Sequence, residues 1–527
     1  MSNVDLPIAD DSLYLRDRRP RGKIRSLDEV AVISEQLRRT GKRVVQCHGT
    51  FDLLHLGHVR HLQAASLLGD CLIVTVTADA FVNKGPGRPV FDSEARAEML
   101  ASLQFVDWVV INDAADGVNA ITQLQPTVYV KGQDYEHQEG DVTGKIVLER
   151  EAVEEHGGSI CFTDEVTFSS TELINQHLNI FEPHVRQHLD SLRDNGGLEA
   201  LISLVASVSE YRVLLIGDAI IDEYHYVEPM GKTPKENVIA TKYEGSEVFA
   251  GGVFAAANHI ASFCKEVEVI TCLGDGGDHS DLVQGSLQPN VRLTAFERTG
   301  APTTVKRRFV DSSRVGKLFE IYMIDDEPLP DHLQQKINST IAERAGQFDL
   351  VVVTDFGHGM LAPSSVDILT GTGPRFLAVN TQTNTGNYGY NLITKYRRAD
   401  YVCIDAPEAR LATGDRFSPV PELASRLANR YVECPRLIIT QGRGGCVTYE
   451  QGSASHTIPA FARRVVDTIG AGDAFFVVTA PLVAAGGSMH QIGFIGNVVG
   501  ALKVQIIGHR RPVDKPSLIK SITGLLK

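Results

Sequence analysis

Two stretches of this sequence combine residue types that can move phosphoryl groups. The first is His48-Gly-Thr-Phe-Asp-Leu-Leu-His55-Leu-Gly-His58, which follows an apolar run and opens a helical pattern. A helix start presents unpaired backbone N–H groups and the positive end of the helix dipole, a seat for a triphosphate. His55 and His58 stand three apart and share one helix face. Two imidazole donors there would stabilise charge on an α-phosphate under attack. Gly57 removes a side chain where phosphate must approach the backbone. Two plainer readings stay open. His55, His58 and His61 have a zinc-like spacing, although no carboxylate or cysteine stands at ligand spacing, or all three are ordinary surface histidines. The second stretch is Asp467-Thr-Ile-Gly470-Ala471-Gly472-Asp473, followed by the apolar helix AFFVVTAPLVAA. Its glycines place N–H groups at a helix start, an anion hole for a transferring phosphoryl group. Asp473 at its mouth can take the proton of an attacking hydroxyl. The plainer reading is a glycine cap between two elements.

Both stretches need a strand to deliver them and a helix to receive them, and the pattern supplies these. Ser26 and Glu29 form a capping box for a helix to about Arg39. Strands RVVQC, CLIVTVTA, DWVVI, TVYVK and SICFT then alternate with helical segments. This alternation predicts a doubly wound parallel sheet. Residues 171–208 read as helical, broken at Asp-Asn-Gly-Gly (194–197), and are expected to form a linker. A second α/β unit opens at YRVLLIGD and continues through EVEVITCLGD, DLVVVTDFG, RFLAVN, ADYVCID and RLIITQG. Residues 224–250 and 300–325 alternate polar and apolar, as in a small β-lid. The expected divisions are an N-terminal arm and helix at 1–40, a first domain at 41–180, a helical linker at 181–208 and a second domain at 209–527. The basic end of the arm, RDRRPRGKIR, is read as solvated.

Composition narrows the function classes. At 527 residues the chain exceeds one domain, and 43% hydrophobic with 22% charged residues is an ordinary globular balance. A net charge of −14 argues against a general nucleic-acid binder. The eight cysteines form no C-x-x-C pair, and several lie in apolar runs, which fits a reducing cytoplasm. The N-terminus is acidic without an apolar signal core, and no apolar run approaches 18 residues, so no membrane span is expected.

The segment G-T-F-D-L-L-H-L-G-H resembles the cytidylyltransferase-like nucleotidyltransferases over about residues 43–178. The resemblance implies a Rossmann-like fold, with Thr50, Phe51 and Gly57 at the nucleotide and His55 and His58 at the reacting phosphate. It also implies that Lys84 and Arg88 in KGPGRPV bind phosphate, that Arg96 matches a family arginine, and that Lys131 in YVKGQDY lines the site. Phe168-Ser169-Ser170-Thr171 is similar to the family's hydroxyl-rich helix start; those hydroxyls either contact phosphate or cap the helix. The arginine that often precedes this signature in lipid-precursor cytidylyltransferases is absent, which argues against choline- or ethanolamine-type substrates.

D-T-I-G-A-G-D is similar to the signature of the ribokinase-like carbohydrate kinases, over about residues 210–520. This resemblance implies Asp473 as base, with Gly470, Ala471 and Gly472 as the anion hole. It implies sugar contacts from Asp218, Asp222, Gly251 and Gly252, and nucleotide contacts from Thr440, Gly442, Gly445 and Asn497. Asp405-x-x-Glu408 falls where the family has Asn-x-x-Glu, a segment tied to magnesium through water. The family asparagine after Gly-Gly is Ala255 here; Asn258, one turn on, is expected to substitute. Residues 378–391 also depart from the Asp-Pro-Lys of related kinases. Lys306, Arg307, Arg308 and Arg314, with Lys232, Lys235 and Lys242, form basic clusters in the lid segments. They suggest either an anionic sugar phosphate or a solvated edge.

The pairing resembles the bifunctional ADP-heptose synthases, a sugar-phosphate kinase fused to a sugar 1-phosphate nucleotidyltransferase, with the domain order reversed. It implies magnesium and ATP, small phosphorylated substrates, no nucleic-acid or membrane partner, a homodimer and a cytoplasmic location. Two alternatives stand beside it: another sugar with CTP, and one active domain with the other as sensor or scaffold.

Overall fold

Uninterrupted β-branched runs such as LVVVTD become fully buried strands, because a parallel sheet is covered on both faces. The computed structural model describes residues 20–82, 84, 88–132, 145–163, 181–194, 197–276, 279–313, 316–325, 327–371 and 373–527. The chain divides into two units, 1–180 and 181–526.

The first unit runs α1 (Leu27–Arg39), β1 (Val44–Gly49), α2 (Leu56–Ser66), β2 (Cys71–Thr77), α3 (Ser93–Ala101), β3 (Trp108–Asn112), α4 (Val118–Leu124), β4 (Val128–Gly132), α5 (Lys145–Glu155) and β5 (Ser159–Thr163). Its five strands are parallel in the order β3-β2-β1-β4-β5. The order reverses between β1 and β4, and ligands of open α/β sheets bind outside the carboxyl ends at such a switch point. The Gly49–His58 segment leaves the sheet there. The capping box starts α1 as its sequence dictates: Glu29 N donates to Ser26 Oγ and Ser26 N to Glu29 Oε2, at 3.3 and 2.9 Å.

Two boundary expectations change. Helix α1 buries Val30 and Leu37 against Val44, Ile73 and Val110, so it covers the first sheet instead of preceding the domain. Residues 20–25 are docked as well. Arg25 N donates to Val109 O at 3.0 Å, and Lys23 Nζ donates to Leu103 O and Val106 O at 2.9 and 2.8 Å.

The second unit begins with α6 (Pro183–Asp194) and α7 (Gly197–Ser207). They are helices as expected, but not a free strap: Val185, Leu189, Leu192, Leu201 and Val205 lie in one core cluster with Leu518, Ile522 and Leu525. The unit continues with β6 (Arg212–Gly217), β7 (Ala219–Lys232), β8 (Ile239–Gly252), α8 (Val253–Ala261), β9 (Glu266–Gly276), α9 (Ser280–Ser286), β10 (Val291–Pro302), β11 (Thr304–Asp311), β12 (Gly316–Met323), α10 (Asp331–Arg344), β13 (Leu350–Asp355), α11 (Pro363–Thr370), β14 (Leu377–Thr381), β15 (Tyr401–Asp405), α12 (Ala406–Thr413), α13 (Val420–Arg430), β16 (Arg436–Thr440), β17 (Cys446–Glu450), β18 (His456–Ile458), α14 (Ala471–Ala484), α15 (Met489–Lys503) and α16 (Lys515–Leu526). Its nine-stranded sheet has the order β10-β9-β6-β13-β14-β15-β16-β17-β18. Strands β10 through β16 are parallel, and β17 and β18 are antiparallel. Apolar clusters cover both faces. The switch lies between β6 and β13, which puts Asp218 at the ligand end. Helix α14 is apolar nearly all round and buried, as that composition requires.

A separate four-stranded sheet, β12-β11-β7-β8, is the expected lid. Side chains alternate across a strand. Pairing places Tyr322, Lys306 and Asp222 in one cross-strand row, and Ile321, Arg307, Glu223 and Val248 in the next, on the opposite face. No helix among the described residues is long and apolar enough to cross a membrane.

Candidate functional site

In the first unit, β1 delivers a turn that is shaped before any ligand binds. Phe51 has φ +49°, a left-handed conformation uncommon outside glycine. A Cβ on Gly49 would come within 3.1 Å of the Phe51 ring, so glycine lets that ring fold back. His55 is the N-cap of α2: its Nδ1 accepts the His58 N–H at 3.4 Å. The two imidazoles stack at 3.8 Å, and Phe51 meets His58 edge-on at 5.2 Å. Burial lowers the His58 imidazole to about 3, with His55, Lys84 and His61 adding like charge. Burial, then Lys84, lowers His55. His55, His58 and Lys84 thus converge at one helix start, where each added positive charge is disfavoured until an anion arrives.

Other residues expected at this nucleotide are held by protein groups. The Arg88 side chain is 2% exposed and its Nη1 lies 3.1 Å from Asp52 Oδ2, while Asp52 Oδ1 accepts Val90 N at 2.7 Å. Arg88 is therefore a bolt between the turn and the following loop, not an open phosphate ligand. Arg96 is fully buried and donates to Thr50 O, Phe91 O and Thr77 O, with Asp79 Oδ1 at 2.5 Å. Lys131 Nζ pairs with buried Glu149 at 2.8 Å. His61 bonds Thr163 at 2.6 Å, so the three histidines do not converge as a zinc set. Among the described residues no group of three His, Cys, Asp or Glu is placed to hold a metal. Ser169, Ser170 and Thr171 lie outside the described residues, and Thr50 contributes its carbonyl to Arg96.

Breaking a buried ion pair by removing one partner costs about 3–5 kcal/mol. Asp52 keeps two backbone donors, so Arg88→Ala is expected to destabilise the first unit by about 3 kcal/mol. The chain's one tryptophan, Trp108, lies on β3 and reports this unit alone. Urea unfolding followed by Trp108 emission measures the change.

In the second unit, Gly470 caps α14 with φ +70° and Asp473 sits in the first helical turn. The first N–H groups of a helix have no intrahelical acceptor. Burial raises Asp473 to about 6, against the opposing pull of His509 and Lys306. Gln382 Nε2 donates to its Oδ1. Asp467 fixes the turn from below: it accepts from Tyr224 Oη at 2.7 Å, Gly508 N at 2.8 Å and Ile469 N at 3.1 Å. Lys503 Nζ donates to Ile469 O and Gly508 O at 2.7 and 2.8 Å.

Where sugar contacts are expected, Asp222 is 3% exposed and Arg308 donates to its Oδ1. Burial would raise Asp222, but the His509 hydrogen bond and the Arg308 charge hold it below the usual carboxylate range. A Cβ on Gly251 would lie 2.0 Å from Asp222 Oδ2, which is why a glycine stands there. Asp218 accepts Phe356 N at 2.9 Å and is pushed up to about 6 by burial and Asp355. Lys306 is 8% exposed, with its ammonium 5.5 and 5.7 Å from the Tyr322 and Phe356 rings. Burial lowers Lys306; Asp222 and Asp473 work against it. Arg307 projects on the other face and pairs with Glu223, so the basic run divides. Lys242 pairs with Glu228 at 3.8 Å between exposed side chains, and Arg314 lies outside the described residues.

Several expected ligands have other work. Asn258 binds Ser286 O and Gln288 N, both at 2.9 Å, pinning a loop, so it does not replace the family asparagine; Ala255 is core. Asn497 Nδ2 donates to Ile458 O and Pro459 O at 3.0 and 3.1 Å. Its amide therefore holds backbone at the end of β18 and is not open to a ligand through Nδ2. A Cβ on Gly445 would strike Ile458 O at 2.0 Å, so this glycine answers a close strand approach beside Gly442 and Thr440. Asp405 and Glu408 are a capping box for α12, and Glu408 Oε1 also accepts Thr383 N at 3.0 Å. Burial, Asp405 and Asp473 raise Glu408 to about 8. A carboxylate disfavoured in this way suits a cation held through water, the mode in which magnesium usually binds.

Sequence patterns did not single out Lys503 or His509, and marked Gln382 only as part of the departing segment 378–391. None lies in a motif; a Gly-His step at 508–509 was the only local sign.

A cytidylyltransferase-like family model matches residues 47–176, and a pfkB family carbohydrate kinase model matches residues 391–516. The Bifunctional protein HldE of Syntrophotalea carbinolica is 39% identical over 163 residues, 30% of this chain and 32% of that protein. The Bifunctional protein HldE of Geotalea uraniireducens is 42% identical over 160 residues, 29% of this chain and 31% of that protein. The chain thus spans about a third of the length of the curated relatives it matches. The tetrameric inhibited form of phosphofructokinase-2 from Escherichia coli aligns with 60% of this chain and 100% of its own, at TM-score 0.48 and 13% identity.

Proposed function

We propose, from a chain that pairs a cytidylyltransferase-like segment with a pfkB-type carbohydrate kinase segment, that the protein makes a nucleotide-activated sugar in two transfers. The second unit phosphorylates the anomeric hydroxyl of a sugar phosphate. The first joins the resulting sugar 1-phosphate to a nucleotide and releases pyrophosphate. The specific reading is ADP-heptose synthesis, from D-glycero-D-manno-heptose 7-phosphate and two ATP-dependent steps, in the cytoplasm. The relatives named as bifunctional support it over the stretches they match.

The observation that carries the reading is Asp473, a half-buried carboxylate at a helix start whose surroundings include Lys306 and Asp222. Asp473 takes the proton of the anomeric hydroxyl as that oxygen bonds the γ-phosphorus and the bond to the bridging oxygen of ADP breaks. The Gly470–Gly472 N–H groups meet the developing charge. Magnesium, held through water at Glu408, would neutralise the triphosphate. In the first unit a sugar 1-phosphate oxygen attacks the α-phosphorus, and His55, His58 and Lys84 face the charge that forms. No covalent enzyme intermediate is expected, since positioning and charge account for such transfers.

Incubation with heptose 7-phosphate, ATP and magnesium is expected to yield a 1,7-bisphosphate by mass spectrometry; no product would exclude this sugar. Pyrophosphate release with a heptose 1-phosphate and ATP, CTP, GTP or UTP separates the nucleotides. Turnover with CTP alone would replace the adenylyl reading, and the family description keeps that second reading in play.

The division of the basic run gives a further expectation. Lys306→Met should raise KM for the sugar phosphate about 10–100-fold, the value of a charge-assisted hydrogen bond. Arg307→Met, on the other face, should change it less than about twofold. Initial rates against sugar phosphate decide. The lid's outer face exposes Tyr243, Val248, Phe319 and Ile321, which we assign to a homodimer contact. Light scattering is expected to give twice the chain mass; Phe319→Glu is expected to give the monomer.

A further inference from the structure

The place of His509 is fixed by its neighbours. Gly508 N donates to Asp467 Oδ2 and Gly508 O accepts from Lys503, both at 2.8 Å. Gly508 has φ +49°, and a Cβ there would come within 2.6 Å of the Phe249 ring. The main chain is therefore held on both sides where it delivers the imidazole. Phe249 meets that ring edge-on at 6.4 Å.

The imidazole is 8% exposed and lies between two glycines. A Cβ on Gly470 would stand 2.8 Å from His509 Cε1, and one on Gly251 would stand 3.4 Å from its Nε2. The ring thus spans from the phosphoryl-side turn to the sugar-side glycine pair. Its Nε2 lies 3.0 Å from Asp222 Oδ2, while Arg308 takes Oδ1. An ionised carboxylate only accepts, so the shared proton belongs to Nε2. Nδ1 is buried without a hydrogen-bond partner among the described residues. A lone pair is tolerated there better than an N–H, because orphaned buried donors are the rarer case.

We propose that His509 is a positioning residue for sugar phosphorylation, its Nε2–H orienting the Asp222 carboxylate toward the acceptor sugar in register with the Gly470 turn. This rests on the kinase reading above and adds the residue that aligns acceptor and phosphoryl hole. Each Asp222 oxygen has more than one lone pair, so both remain able to accept a sugar hydroxyl. His509 acts through Asp222; displacement of a positioning group by about 1 Å costs about 100-fold in rate.

The test uses the full chain with His509→Ala, His509→Gln and His509→Asn. Glutamine sets an amide N–H near the Nε2 position; asparagine sets it near Nδ1. With MgATP and heptose 7-phosphate, Ala is expected to raise the sugar KM about tenfold or more and to lower kcat. Gln is expected to bring KM back to within about threefold and Asn is not, with KM for ATP within about twofold throughout. Rescue by Asn equal to that by Gln overturns the proposal. So does an unchanged KM in the Ala variant, or an Ala variant that melts lower and loses sugar and ATP affinity equally. A readout free of the substrate is nitrogen NMR of histidine-labelled chain. It is expected to show the Nε2–H tautomer at His509 and a shift of that signal in Asp222→Asn; the Nδ1–H tautomer overturns the proposal. If the wild type leaves heptose 7-phosphate unphosphorylated, the substrate reading falls, and the tautomer decides the role of His509 by itself.

Discussion

Asp473→Asn is expected to lower kcat for sugar phosphorylation by about 10³-fold or more while leaving pyrophosphate release by the first unit at its wild-type rate. Removing a general base costs about 10²–10⁴-fold, and the anion hole and Lys306 remain to bind ligand, so KM should move little. Asn keeps the shape and an oxygen for Gln382 to bond. Stability supplies the control. Burial raises the folded-state value of Asp473 to about 6, so the ionised form is disfavoured by folding at neutral pH. The carboxylate therefore opposes folding in full above about 6; the penalty shrinks as pH falls below that and is gone at the unfolded value near 3.8. Asn carries no such penalty, and the variant should melt no lower than wild type at pH 7–8. Activity has the opposite sign. The base must be ionised, so wild-type kcat/KM should fall about tenfold per pH unit below about 6 and be level above it. A coupled ADP-release assay from pH 5 to 8 measures this. Full phosphorylation by the Asn variant would remove Asp473 from the chemistry.

His58→Ala is the second large effect, about 10²–10³-fold in nucleotidyl transfer, the cost of one preorganised donor to a developing phosphate charge. Its pH dependence should differ from that of the kinase. His58 is lowered to about 3 by burial and by its basic neighbours, so it is neutral across pH 5–8 and donates as an imidazole N–H. Its protonation state therefore gives the first unit no inflection in that range. Linkage runs the same way: a histidine held neutral in the fold but charged when unfolded opposes stability only as pH falls below its unfolded value near 6.5. Pyrophosphate release by wild type and variant across pH 5–8 tests both statements. An inflection near 6.5 that disappears with His58 would mean the charged imidazole is the active form.

Much of the architecture was legible because it is local. Ser26 with Glu29 marks a helix start by short-range geometry, and the β-branched runs mark strands buried on two faces. The two phosphate-type turns were legible for the same reason, since an N-terminal anion seat needs only a strand end, glycines and a helix start. Asp405 and Glu408 show the limit of spacing: the same Asp-x-x-Glu is a capping box and a plausible cation site, and both uses draw on the same oxygens.

Residue identity and spacing along the chain were enough to place Asp473, His55 and His58 on helix starts and to mark two parallel-sheet units. They were not enough to say which charges meet. Arg88 and Arg96 are buried against groups brought by other elements, Lys306 and Arg307 part to opposite faces by the two-residue period of β11, and the helices at 183–207 join the core of the second unit. His509 reaches Asp222 across 287 positions. Capping and strand burial are short-range energies that each segment carries with it. Ion pairing and desolvation depend on what sheet order and strand register bring within a few ångströms, and those partners are distant in the chain.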